Sequence, residues 1–136
     1  MQEKNLFEYA VIRVVPKVER EEFLNIGVIL YCAKPPFLQS MFQLNEERMA
    51  AFCGKSAIPE LGGYLHAFQQ ICMGAPGSGA IGRLPIAERF RWLTATRSTV
   101  LQTSKLHPGL CTDAGEMLKK LFTQLVLTGE DKKQMK

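Results

Sequence analysis

Residues 94–109 hold the densest set of side chains able to do chemistry: Thr94, Thr96, Arg97, Ser98, Thr99, Gln102, Thr103, Ser104 and His107, ahead of Pro108 and Gly109. Only Val100 and Leu101 in the middle of this run suit a core, so it departs from the strict alternation of a strand built for burial alone. Arg97, Ser98 and Thr99 together suit an oxyanion, because a guanidinium fork, hydroxyls and neighbouring backbone N–H groups all donate to phosphate or carboxylate oxygens. They equally suit a strand entrance at which the hydroxyls bond their own backbone. Gln102 adds an amide. His107, placed on an expected turn, is able to act as a general base or phosphate ligand near neutral pH, or to make no more than a local turn hydrogen bond.

The charge of the chain points to the same place. Between Arg83 and Lys105 five basic residues (Arg83, Arg89, Arg91, Arg97 and Lys105) face the single acid Glu88, so this segment carries the whole net charge of +4. A local basic surface suits an anionic partner: a phosphate compound, a nucleic acid or an acidic protein face. It also suits a helix face kept soluble by arginines. Two further residues stand out in otherwise apolar surroundings. Arg13 lies in the row Phe7, Tyr9, Val11, Arg13, Val15, where it must reach an edge or find an acid or ligand. Asn25 shares a strand face with Gly27, and a strand glycine marks a bulge or the close approach of another backbone or ligand.

Several chemistries are poorly served. Cys32, Cys53, Cys72 and Cys111 show no CxxC spacing and no nearby histidine, which favours free thiols over a metal site or disulfides. The run from Gly77 to Gly82 spells G-x-G-x-x-G, but it follows a helical pattern and no acid lies about twenty residues on, so it reads as a connector without a nucleotide cofactor. No P-loop occurs. The acids sit in connections and first helical turns, giving no paired carboxylates, and no serine occupies a nucleophile elbow. His66 falls beside a helix stripe, and the aromatics read as core. No apolar run is long enough to cross a bilayer, and the first residues lack a secretory layout. The expectation is a cytoplasmic protein with no membrane partner.

The elements that must position these groups follow from periodicity. Alternation predicts strands over residues 6–15, 23–32 and 37–44, joined as an antiparallel meander. Asn45 caps a short helix through Phe52. A longer helix covers 58–73 with Ile58, Leu61, Leu65, Phe68 and Cys72 on one stripe. Residues 74–82 form a glycine-rich loop, Pro85 opens a helix to Leu93, and a fourth strand follows near 98–103. Asp113 and Glu116 have capping-box spacing ahead of Leu118, Leu121, Phe122 and Leu125. The sum is a single α+β domain over 1–129, with a mostly antiparallel sheet of about four strands and helices packed on one face. Residues 130–136 read as a frayed tail.

The stretch Phe7-Glu8-Tyr9-Ala10-Val11-Ile12-Arg13-Val14-Val15-Pro16, with Arg20-Glu21-Glu22-Phe23-Leu24-Asn25-Ile26-Gly27-Val28-Ile29-Leu30, resembles the bacterial family catalogued as Domain of Unknown Function 3037. The block from Arg97-Ser98-Thr99 to His107-Pro108-Gly109 resembles the same family, so the likeness spans roughly residues 7–126. The resemblance implies no activity; it suits a partner or regulator of a kinase-like protein. Taken with the residues, the reading is a binding protein for an anionic ligand, its site built from Arg97, Ser98, Thr99, Gln102 and His107 with Arg13 and Asn25 contributing. One alternative is an enzyme of phosphoryl or nucleic-acid chemistry using His107 as acid/base and Arg97 as charge stabiliser. Another is a purely structural partner subunit.

Overall fold

The computed structural model describes residues 3–17, 20–54, 57–95 and 100–127. Arg97, Ser98 and Thr99, and the tail over 130–136, lie outside the described residues. Three strands form the antiparallel meander that their alternation predicts: β1 (Asn5–Val14), β2 (Leu24–Cys32) and β3 (Phe37–Phe42). The polar run supplies β4 (Leu101–Thr103), paired antiparallel with Ile12–Val14 of β1. Beyond it comes a strand that periodicity does not announce, β5 (His107–Cys111), paired with Asn5–Tyr9 of β1. The sheet is therefore ordered β3-β2-β1, with β4 and β5 end to end along the far side of β1.

The expected turn at His107-Pro108-Gly109 is thus corrected to a strand. Among the described residues β5 pairs only with β1, and an edge strand is where a proline without an N–H is tolerated. Glycine at 109 leaves room for the Phe7 ring: a Cβ there would stand 2.5 Å from Phe7 Cζ, so a side chain would have to displace that buried ring.

Among the described residues five helices complete the fold: α1 (Glu46–Cys53), α2 (Ile58–Met73), α3 (Gly79–Gly82), α4 (Ile86–Leu93) and α5 (Ala114–Leu125). Local signals set their ends. Asn45 accepts from the Arg48 N–H and Asp113 from the Glu116 N–H, each satisfying a first-turn donor. The α+β class and the antiparallel sheet stand, but the helices divide between the two faces instead of covering one. Ala10, Ile12 and Val14 of β1 pack with Met49, Leu61, Leu65, Phe68, Phe90 and Leu93 from α1, α2 and α4. On the opposite face, Phe7 and Val28 pack with Leu118 and Phe122 of α5. No described helix is long and apolar enough to cross a membrane.

Candidate functional site

Three of the described hydroxyls in the polar run are taken up by the backbone around them. The Thr94 hydroxyl donates to the Phe90 carbonyl at the end of α4 (2.7 Å), and Thr103 donates to the Thr94 carbonyl (3.3 Å). Ser104 bridges the gap between β4 and β5. Its N–H donates to the Val11 carbonyl (2.8 Å) while its Oγ accepts from the Val11 N–H (2.8 Å), so β1 loses no hydrogen bond where the neighbouring strand breaks. Three hydroxyls that give the run its chemical look therefore serve chain geometry.

The structure does assemble part of the candidate set. Arg13 on β1 has Asn25 of β2 on one side and Gln102 of β4 on the other, making a polar row across three strands. A bulge builds it. Ile12 pairs with Gly27 and Arg13 with Asn25, so Ile26 is an extra residue; it turns into the helix-covered core and leaves Asn25 on the Arg13 side. The Asn25 Nδ2 donates weakly to the Leu125 carbonyl at the end of α5 (3.4 Å). The Arg13 guanidinium lies 3.9 Å from the centroid of the Phe23 ring, a cation–π contact. Burial lowers the pKa of Arg13 from its ordinary value, though a guanidinium remains charged at any physiological pH. Two atoms in this row, Arg13 Nε and Asn25 Oδ1, are buried without a hydrogen-bond partner among the described residues. An unmade hydrogen bond at a buried polar atom costs about 1–3 kcal/mol, so an idle donor beside an idle acceptor calls for an explanation.

His107 does not join the row. It pairs with Tyr9, and their ring centroids lie 5.1 Å apart. Tyr9 and Arg13 are four residues apart on β1, which separates the backbone positions of His107 and the polar row by roughly 13 Å along the strand. One small ligand does not bridge that distance.

The basic segment also divides. Arg89 is taken up by structure: its Nη1 donates to the Leu84 carbonyl (2.6 Å), and its guanidinium stands beside Gly74 at the C-terminus of α2, which has no basic residue in its last turn. That placement complements the negative end of the helix dipole. Arg83, Arg91 and Lys105 are exposed.

A cavity of about 510 Å³ opens between α2, α4 and β4, lined by Tyr64, Phe68, Ile71, Trp92, Leu93 and Leu101 among others. The expectation that the aromatics form the core holds for Phe7, Phe68, Phe90 and Phe122 and is corrected for three others: Tyr64 is 48% exposed, Trp92 39% and Phe23 47%. A usable signal existed for Trp92. It sits two residues from Phe90, about 160° round α4 from that buried ring. Of the candidate residues, Gln102 lines a small cavity beneath β4.

The four cysteines are unpaired, and no three described His, Cys, Asp or Glu side chains gather as a metal set. The register explains why Cys32 and Cys111 do not bridge. They pair with Phe7 and Asn5 on opposite sides of β1, so two strand spacings of about 4.8 Å separate them. Burial pushes the Cys72 thiol up from 9.0 to about 11, against weaker opposing effects of a Ser40 hydrogen bond and Arg89. Because the folded state holds this proton more tightly, its contribution is present below the unfolded pKa and is lost as pH rises from about 9 to 11. Cys72→Val is expected to remove about 2–3 kcal/mol of alkaline destabilisation over that window, measured as the difference in urea midpoints between the two chains across pH.

A family model described as protein of unknown function (DUF3037) matches residues 9–126. The chain belongs to that family. The match runs from Tyr9 on β1 to the residue after α5, so Arg13, Asn25, Gln102 and His107 all lie within the DUF3037 span. No curated protein and no solved structure matches the chain.

Proposed function

We propose that this DUF3037 protein is a binding protein whose ligand presents an oxyanion, carboxylate or phosphate, to the polar row of Asn25, Arg13 and Gln102. The observation that carries this reading is the buried Arg13 Nε donor without a hydrogen-bond partner, on a residue in register with Asn25 at a β-bulge. Bulges re-aim side chains and are over-represented beside functional sites. Phe23 fixes the guanidinium plane, so little side-chain freedom is lost when an oxyanion docks. The four unpaired thiols, three of them buried, fit a reducing compartment and support a cytoplasmic location.

The test replaces Arg13 with Met, which keeps an apolar stem against Phe23 and removes the guanidinium. Inorganic phosphate and acetate are titrated separately while the Arg13 Nε–H resonance and, in both chains, the side-chain amide resonances of its register partner Asn25 are followed by NMR. A saturable shift is expected with at least one of them. Arg13→Met should weaken that binding about tenfold to a hundredfold, the equivalent of the roughly 1.5–3 kcal/mol carried by hydrogen bonds to charged groups. No saturable shift with either anion, or equal affinity in Arg13→Met, overturns the reading.

A further inference from the structure

Helix α2 carries more apolar surface than its own fold covers. At 3.6 residues per turn its apolar side chains from Ile58 round to Ala67 sweep an arc of about 180°, against roughly 100° for a helix that covers one core face. Leu61, Leu65, Phe68 and Cys72 fill the inner part of the arc and are buried. Tyr64, Ala67, Phe68 and Ile71, spaced i, i+3, i+4 and i+7, line the cavity of about 510 Å³, with Tyr64 and Ala67 exposed. The opposite wall comes from Trp92 and Leu93 of α4 and Val100 and Leu101 at β4.

The geometry points to this groove as the docking site of an amphipathic helix from a protein partner, with acidic residues flanking its apolar stripe. An i, i+3, i+4, i+7 row set against a second apolar wall is the shape that accepts one more helix. Charge decides which helix. The α4–β4 wall lies within the segment Arg83 to Lys105, whose described basic residues other than Arg89 are all exposed. Arg91 is exposed immediately before Trp92, and Lys105 is exposed just past β4. A second copy of this chain would set that segment against itself across a two-fold interface, and like charges in apposition oppose pairing. An acidic flank meets it favourably. The acids nearby are Glu60, which accepts from the Tyr64 hydroxyl on the α2 wall, and Glu88 on α4. The acidic flank of the partner therefore lies toward the Lys105 end of the α4–β4 wall, away from Glu60 and Glu88. This site is on the sheet face opposite Arg13, so it goes beyond the oxyanion reading and stands without it.

The test is a selection on the full-length chain from a phage-displayed library of peptides about 16 residues long, enough for some four helical turns. Trp92, the only tryptophan in the sequence, reports binding by its fluorescence. Recovered peptides should carry an apolar helical stripe with acidic flanks, shift Trp92 emission to shorter wavelength and bind less tightly as salt rises. Both Ala67→Glu, which puts a like charge in the groove, and Tyr64→Ala, which trims a wall without adding charge, should weaken binding at least roughly tenfold. Arg13→Met should leave it unchanged, which separates this outcome from that of the oxyanion site. The proposal is overturned by any of three results: no binder is recovered, the binders lack acidic flanks, or they are indifferent to both groove variants. A concentration-dependent dimer that Ala67→Glu dissolves would overturn it in favour of self-association.

Discussion

Gly27→Ala is expected to destabilise the fold by about 3 kcal/mol, the upper part of the range for overpacking a tight core. A Cβ at Gly27 would stand 2.5 Å from the Met41 carbonyl oxygen, 2.8 Å from Phe42 Cβ and 3.2 Å from Ile12 Cδ1. The Ile12 methyl is able to swing aside. The Met41 carbonyl is backbone, and moving it means parting β2 from β3, where Gly27 is in register with Phe42. The functional consequence follows from the bulge one residue away. Displacing Gly27 shifts Ile26 and Asn25, so the Arg13 Nε–H resonance should move in whatever fraction remains folded. Gly62→Ala is the control: the position lies within α2 with nothing within 4 Å of the added Cβ, so it should gain up to about 1 kcal/mol from helix propensity. Urea unfolding of the two variants reads both effects. A Gly27→Ala chain as stable as the parent would mean that β2 and β3 do not approach this closely.

The sequence carries the local elements more openly than their assembly. Caps at Asn45 and Asp113 and the α2 stripe Leu61, Leu65, Phe68 and Cys72 depend on neighbours within a few residues, and they read correctly for that reason. Which face of the sheet a helix covers depends on the whole chain. A signal was nonetheless present in β2, where Ile26 to Leu30 form an unbroken run of buried residues. Strands covered on both faces read as continuous apolar runs, whereas one solvated face produces alternation.

The functional groups show the same division. That Arg13 and Asn25 are out of place is visible from composition alone, since an arginine and an amide interrupt apolar rows. That they stand side by side rests on the bulge at Ile26, and their meeting with Gln102 rests on the pairing of β4 with β1. Neither is a local property. Part of the prominence of residues 94–109 has a related origin: Thr94, Thr103 and Ser104 look chemical in sequence because their backbone partners, Phe90, Thr94 and Val11, are recognisable only once the strands are placed.

Phe90→Ala should cost about 3–5 kcal/mol, the usual range for deleting a buried phenyl ring. Phe90 is 2% exposed, and its ring stacks on Tyr31 of β2 with centroids 5.2 Å apart and planes 25° apart. The eight residues of α4 are too few to hold a helix in water by themselves. Phe90 and Leu93 are the only fully buried side chains that α4 presents, so losing the larger one removes most of what seats the helix on the sheet. A fall in Tm of about 10–20 °C is expected for a domain of this size, whereas Arg91→Ala, exposed on the same helix, should stay within about 0.5 kcal/mol of the parent. The two proposed sites should respond differently below the new Tm. α4 supplies Trp92 and Leu93 to the apolar groove, so peptide affinity should fall and Trp92 emission should move to longer wavelength as its wall loosens. The polar row lies on the other face, under α5, and phosphate should continue to shift the Arg13 resonance. Equal loss at both sites in chains still folded would show that the two faces are coupled through β1, whose alternate residues Ile12 and Arg13 point one into each.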